Sequence, residues 1–431
     1  VAQAVWTRAV LAPPLCAAST RLDTSTAPLI QMAVSQEMTG LTLKDGSNMR
    51  DIFDLCQKHG LPSLAQGMIE FPPPQRLREI ASKRVMEPGL HTYRTRMGEG
   101  EYRTALAALV RKVYGEENIT PDNVLAVAGV AGGVSAALLH LRKQKPDCNF
   151  AVLEPSYTYH SHEVERAFGR FPVVIPALGQ DAAPNWPELK RLVEANEVHG
   201  VIVTNPLNPT GKVYSSEEIH MLLGLADSHG LFVIFDECYL DMVFGGNKHV
   251  SPFITGLRDN VVACRGFSKC LGCQSWRCGY AISTPSTLLG MMTMMDPLFI
   301  CANWTQHALG EYFRDHTEDF LEHCDKLNGL LQDNWALLSR AFVERFGWEP
   351  LQPQGTMYGM FKHSDETDIQ ACERALRAGV GVCPGNVFFG SVTSPPKCTG
   401  WVRIHCGVSR EKAEMIARKL AAAEDDKVLG A

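Results

Sequence analysis

The sequence predicts an α/β protein, a mostly parallel β-sheet lying between helices, with a smaller α+β domain beside it. Between residues 124 and 264, apolar runs of four or five residues alternate with helical patterns, as in a parallel sheet covered on both faces. Beyond about residue 315 the alternation gives way to one long helical stretch, Phe320–Phe346, and then a mixed tail. A chain of 431 residues, 45% apolar and 20% charged, is long enough to bury a large core.

Taken in order, Val1–Arg21 contains Arg8 and Arg21 but no Asp or Glu. Residues 1–35 therefore read either as a transit-peptide remnant or as a leader without special meaning. Residues 36–85 are expected to join the small domain, 86–315 to form the large domain, and 316–431 the C-terminal small domain. Within the large domain the predicted strands are Val124–Ala128, Phe150–Leu153, Val173–Ile175, Gly200–Val203, Leu231–Phe235 and Val261–Cys264. A helix is expected over Ser135–Lys143. Another opens at Ser215, with Glu218 completing a capping box.

The net charge of −6 gives no electrostatic reason to expect nucleic acid or an anionic membrane as partner. No apolar run reaches the ~18 residues of a spanning helix. The expectation is a soluble protein, cytoplasmic or, if the leader is a transit remnant, organellar. Of the 14 cysteines, Cys238, Cys264 and Cys278 sit in apolar runs and read as small buried hydrophobes. Cys270 and Cys273 form a C-x-x-C without zinc-spaced partners, so packing is the leading reading, ahead of a thiol switch or a metal.

Ligands of open α/β sheets bind at the carboxyl ends of strands. Following the predicted strands are Gly129-Val130-Ala131-Gly132-Gly133, Glu154-Pro155-Ser156-Tyr157, Asn205-Pro206-Leu207-Asn208-Pro209-Thr210-Gly211, Asp236-Glu237-Cys238-Tyr239 and Gly266-Phe267-Ser268-Lys269. Chance would scatter such groups over both edges, but here they gather on one. Together they suit a phosphorylated aromatic aldehyde. Glycines opening a helix offer N–H groups and a positive dipole end to phosphate. A lysine condenses with the aldehyde, and a carboxylate keeps a ring nitrogen protonated so that the ring takes up electrons. A tyrosine and an asparagine can hydrogen-bond the ring's phenolic oxygen, an aromatic side chain can stack on its face, and Arg277 adds a second donor set for phosphate.

The strings N-P-L-N-P-T-G (205–211), D-E-C-Y (236–239), S-K-C-L-G-C-Q-S-W-R-C-G-Y (268–280), P-S-Y (155–157), P-G-N-V-F-F-G (384–390) and V-R-I (402–404) resemble the class I/II aminotransferases of fold type I. Upstream, Y-R-T-R-M-G (93–98) and A-Q-G-M-I-E-F-P-P-P (65–74) also match, so the resemblance spans roughly residues 36–425 in order. It implies a seven-stranded sheet and pyridoxal 5'-phosphate as cofactor. Lys269 would be the Schiff-base lysine and general base, with Asp236 on the pyridinium nitrogen. Tyr239 and Asn208 would meet the phenolic oxygen and Tyr157 the ring face. Ser268, Arg277 and the backbone at Ala131 and Gly132 would hold the phosphate. Tyr93 would reach the phosphate of a neighbouring subunit, which implies a homodimer. Arg403 and Asn208 would bind the α-carboxylate of the amino-acid or 2-oxo-acid substrate, with Gly67 lining that pocket. Arginine is usually a surface residue, but Arg403 sits in an apolar V-R-I run. Two positions depart from the pattern: Gly266 stands where the family often has a serine, and Ser275 where it often has glycine.

Fold type I enzymes with these residues include aminotransferases, C–S lyases and a cyclase making aminocyclopropane carboxylate. The residues leave these open, along with a non-catalytic binding protein of the same fold. The A-Q-G-M-I-E-F-P-P-P and D-P-L-F-I-C-A strings resemble plant-type aromatic and methionine aminotransferases, which favours transamination. No arginine occurs from Ala281 to Phe313, whereas Met291, Met292, Met294 and Met295 do. A second carboxylate would be poorly paired there, so a neutral donor is expected unless the methionine run is only adaptable core packing or Arg94 or Arg96 serves.

Overall fold

The computed structural model describes residues 42–423, apart from 45, 94, 180, 297–300 and 391–394. The 1–35 leader, Arg94 and most of the D-P-L-F-I-C-A string lie outside the described residues. A seven-stranded sheet contains β1 (Val124–Val127), β2 (Phe150–Leu153), β3 (Val173–Ile175), β4 (Gly200–Thr204), β5 (Phe232–Glu237), β6 (Val261–Gly266) and β7 (Gly279–Ile282), in the order β1-β7-β6-β5-β4-β2-β3. From β6 to β3 neighbouring strands run parallel, and β7 is antiparallel to both β6 and β1. All residues of β1, β2 and β4 through β7 are buried. Side chains alternate across a strand, so these uniformly apolar runs supply both covered faces. Hence one hydrophobic cluster takes Ala126, Val201, Val233 and Ala263 while another takes Leu125, Val127, Ile202 and Ile234.

Three local outcomes differ from the sequence expectation. β7 follows Arg277 and was not among the predicted strands, although it is as long as β1 and β2. β5 runs on through Asp236 and Glu237, so two carboxylates end a buried strand. The helix expected at Ser135 begins at Gly129 and continues to Gln144, so the glycine run forms its first turn. The Ser215 capping box is present, with the Ser215 side chain accepting from Glu218 N–H.

A second, antiparallel sheet has β8 (Glu349–Leu351), β9 (Tyr358–Lys362), β10 (Cys383–Pro384) and β11 (Trp401–His405), in the order β10-β11-β9-β8. It follows the long helix Thr317–Phe346. Leu64 N–H donates to Gly381 O and His405 N–H to Leu64 O, tying the segment around residue 64 to this sheet. No helix among the described residues is long and apolar enough to cross a membrane.

Candidate active site

A cleft of about 460 Å³ opens at the carboxyl edge of the large sheet, within the range of small-molecule sites. Its lining includes Ala131 after β1, Thr204 at the end of β4 and Asn208 after it, Asp236 and Tyr239 from β5 onward, and Ser268 and Lys269 after β6. Tyr157, Arg277, Gly67, Tyr358 and Arg403 complete the wall. Parallel strands joined by crossover connections all deliver their exits to the same edge, which is why segments so far apart in sequence meet there.

Asp236 is 9% exposed, and a carboxylate so placed requires partners. His160 Nε2 lies 2.9 Å from Asp236 Oδ2, and Cys238 N–H donates to Oδ1 at 3.1 Å. Just beneath, Arg265 is 1% exposed and donates to Glu237 and to Glu116, each contact being 2.5 Å, and His249 meets Glu237 at 2.9 Å. Arg265 and Glu237 thus join the ends of β5 and β6, the strands that carry Asp236 and lead to Lys269. Cys238, between Asp236 and Tyr239, has its thiol pushed up to about 12 by burial and the Asp236 charge, so it offers no competing nucleophile.

Lys269 Nζ donates to the Gly67 carbonyl at 2.8 Å. Tyr239 donates to the Tyr358 hydroxyl at 3.2 Å, and burial, then Tyr358, hold its ionisation well above the ordinary phenol range. Tyr157 precedes the helix Thr158–Phe168 and is raised likewise by burial. Arg403 on β11 is 1% exposed: it donates to Asn208 Oδ1 at 3.0 Å and Ala65 O at 2.6 Å, and its Nε has no hydrogen-bond partner among the described residues. Its guanidinium carbon stands 4.1 Å from the Tyr358 ring centre and 4.7 Å from that of Phe388.

Gly129 shows why glycine opens the helix. Its φ is +70°, and an added Cβ would lie 2.9 Å from Arg277 Nη2. Arg277 donates to Ala128 O at 3.3 Å, so its guanidinium lies against the helix N-terminus. Gly266 ends β6, where an added Cβ would come within 3.3 Å of Val130 Cγ2.

The residues expected from sequence do not all share the cleft. Gly132 is buried inside the helix, one residue beyond Ala131, and does not line the wall. Tyr93 is 93% exposed and outside its own chain's cleft. Met291 and Met295 pack in the core with Leu125 and Val127, and none of Met291, Met292, Met294 and Met295 lines the cleft. Met291 and Met295 are core and Met292 packs against it, so the methionines lend no support to a neutral donor. Arg96 pairs with Asp296 at 3.2 Å, also away from the wall. Cys270 and Cys273 are buried, with both thiols pushed up by that burial. His160 and Tyr358 were missed. His160 had a faint signal, one helical turn past Tyr157; Tyr358 had none.

The donors and acceptors present fit a phosphorylated aromatic aldehyde. A helix N-terminus with Arg277 and Ser268 can take the phosphate, Asp236 a protonated ring nitrogen, Tyr239 and Asn208 a phenolic oxygen, and Lys269 the aldehyde carbon. The orphaned Arg403 Nε is a buried donor that awaits an acceptor.

Comparison with known proteins agrees in family and fold. A family model described as "Aminotransferase class I and II" matches residues 60–420. An aspartate aminotransferase of Pyrococcus abyssi is 27% identical over 389 residues, 87% of this chain and 94% of the relative. Aromatic-amino-acid aminotransferase 2 of Thermococcus litoralis is 24% identical over 387 residues, again 87% and 94%. A solved aspartate aminotransferase double mutant from Thermus thermophilus superposes with a TM-score of 0.76 at 22% identity, over 94% of this chain and 98% of that one.

Proposed function

Because the chain belongs to the class I and II aminotransferases, and is thus a pyridoxal-phosphate-dependent transferase of fold type I, we propose that it moves the amino group of a neutral L-amino acid, aromatic or methionine-like, to a 2-oxo acid, with Lys269 as its catalytic residue. When bound, the cofactor supplies an electron sink for the pair left at the substrate's α-carbon. Lys269 would hold the cofactor through its aldehyde carbon, and its amine, within reach of the substrate, would be the base that takes the Cα proton. Asp236, held by His160 and the Cys238 N–H, would meet the ring nitrogen. Tyr239 and Asn208 serve the phenolic oxygen, Tyr157 the ring face, and Ser268, Arg277 and the N–H groups near Ala131 and Gly132 the phosphate. Arg403 orients the substrate through its α-carboxylate beside Gly67. Exposed Tyr93 is assigned to the site of a second copy, in a homodimer.

One observation carries the neutral donor. Among the described residues lining the cleft the cationic side chains are Lys269, Arg277 and Arg403, and each already has a task. A second substrate carboxylate would find no further cation among the residues this chain gives its own cleft. The test is a panel of amino donors, aspartate included, with several 2-oxo acids, measuring oxo product, new amino acid and ammonia. Equal yields of oxo product and new amino acid, best with aromatic donors or methionine, are expected. A preference for aspartate would overturn the specificity, and ammonia in place of new amino acid would turn the reading to a lyase.

A further inference from the structure

Tyr358 is the first residue of β9, 4% exposed, and stands where three parts of the cleft meet. Its hydroxyl is 3.2 Å from that of Tyr239, and the two rings cross edge to face at 76° with centres 5.6 Å apart. Its ring face lies 4.1 Å under the Arg403 guanidinium. Its hydroxyl also fills the space where a side chain at position 67 would go, since a Cβ on Gly67 would sit 1.8 Å away. The same Gly67 carbonyl accepts from Lys269 at 2.8 Å. One phenol from the small sheet thus touches the tyrosine assigned to the cofactor, the arginine assigned to the substrate, and the glycine that receives the lysine.

A phenol has one proton to donate. Tyr239 donates its proton to Tyr358. Once an acceptor stands before Tyr239, that proton turns to it, and the freed lone pair of Tyr239 can accept from Tyr358. Donation into a hydroxyl strengthens that hydroxyl as a donor, since linked hydrogen bonds polarise one another. We propose that Tyr358 is a positioning residue with two separable tasks: its hydroxyl strengthens Tyr239 as a donor to the cofactor's phenolic oxygen, and its ring holds Arg403 in place for the substrate carboxylate. The inference rests on the site assignment above and extends it to a residue that no motif carries.

Two substitutions separate the tasks. Tyr358→Phe keeps the ring and deletes the hydroxyl, so the pH midpoint of the holoenzyme's visible absorbance change should rise by about half a unit, with KM for the amino donor unchanged. Tyr358→Leu also removes the aromatic face, and KM should rise about tenfold, as expected for a desolvated cation–π contact. A midpoint for Tyr358→Phe that matches wild type would overturn the first task, and an unchanged KM for Tyr358→Leu the second. The underlying assignment fails by a different result: a Lys269→Ala protein that keeps the pH-dependent absorbance of wild type, whatever Tyr358 does.

Discussion

Replacing Arg403 by lysine tests the substrate end of the cleft while conserving charge. Arg403 lies in β11, 1% exposed, with one terminal nitrogen donating to Asn208 Oδ1 and the other to Ala65 O. A guanidinium has five N–H donors in a flat fork, so N–H groups remain for both oxygens of a carboxylate. An ammonium has three and no fork, and cannot serve Asn208, Ala65 and two carboxylate oxygens together. At least one charge-assisted hydrogen bond is lost, costing about 1.5–3 kcal/mol, which corresponds to about a ten- to hundredfold fall in kcat/KM. The assay is kcat/KM for several amino donors of different side chain, with thermal unfolding in parallel. Because every donor has the same α-carboxylate, the factor should be alike for all, and the holoenzyme's absorbance should stay as in wild type. A loss below about twofold, or one confined to a single side chain, would refute the role.

Other expectations follow from the same geometry. Asp236→Asn keeps the shape but removes the charge that His160 and Cys238 N–H hold in place; turnover should fall about a hundredfold or more while the cofactor still binds, as steady-state kinetics and absorbance would report. Gly129→Ala forces a left-handed residue against Arg277 Nη2 at a strain of about 1–2 kcal/mol, so titration of the apoenzyme should show about tenfold weaker cofactor binding. His405 is pushed from the ordinary 6.5 down to about 3, by burial first and then by Arg403 and Lys412. It is neutral in the fold and takes a proton on unfolding, so stability should fall as pH drops from about 6.5 toward 3, by up to about 1.4 kcal/mol per unit. Urea unfolding at stepped pH should show that slope diminished in His405→Gln.

The large sheet was legible because a strand buried on both faces leaves a continuous apolar run, and the same runs told where their carboxyl ends lay. Asp236, Lys269 and Asn208 were therefore found without knowing a single contact. β7 was passed over although its run is as long as that of β1 or β2, and its antiparallel direction, after the turn at Arg277 with φ +50°, leaves no mark in an apolar pattern. His160 escaped because its task is to satisfy Asp236, a requirement that names no partner. Tyr358 reaches Tyr239 from another sheet, 119 residues along the chain, and no local periodicity carries that meeting. The methionines misled because softness suits a binding wall and a core equally, and only packing separates the two.

The central claim is that Lys269 carries the cofactor. Borohydride treatment of the holoenzyme fixes the cofactor to whichever amine holds it, and peptide mass mapping then finds the residue. One pyridoxyl phosphate per chain on the peptide bearing Lys269, and none in Lys269→Ala, is the predicted result. A label on any other lysine, or no label on a protein that still catalyses transamination, would contradict the account.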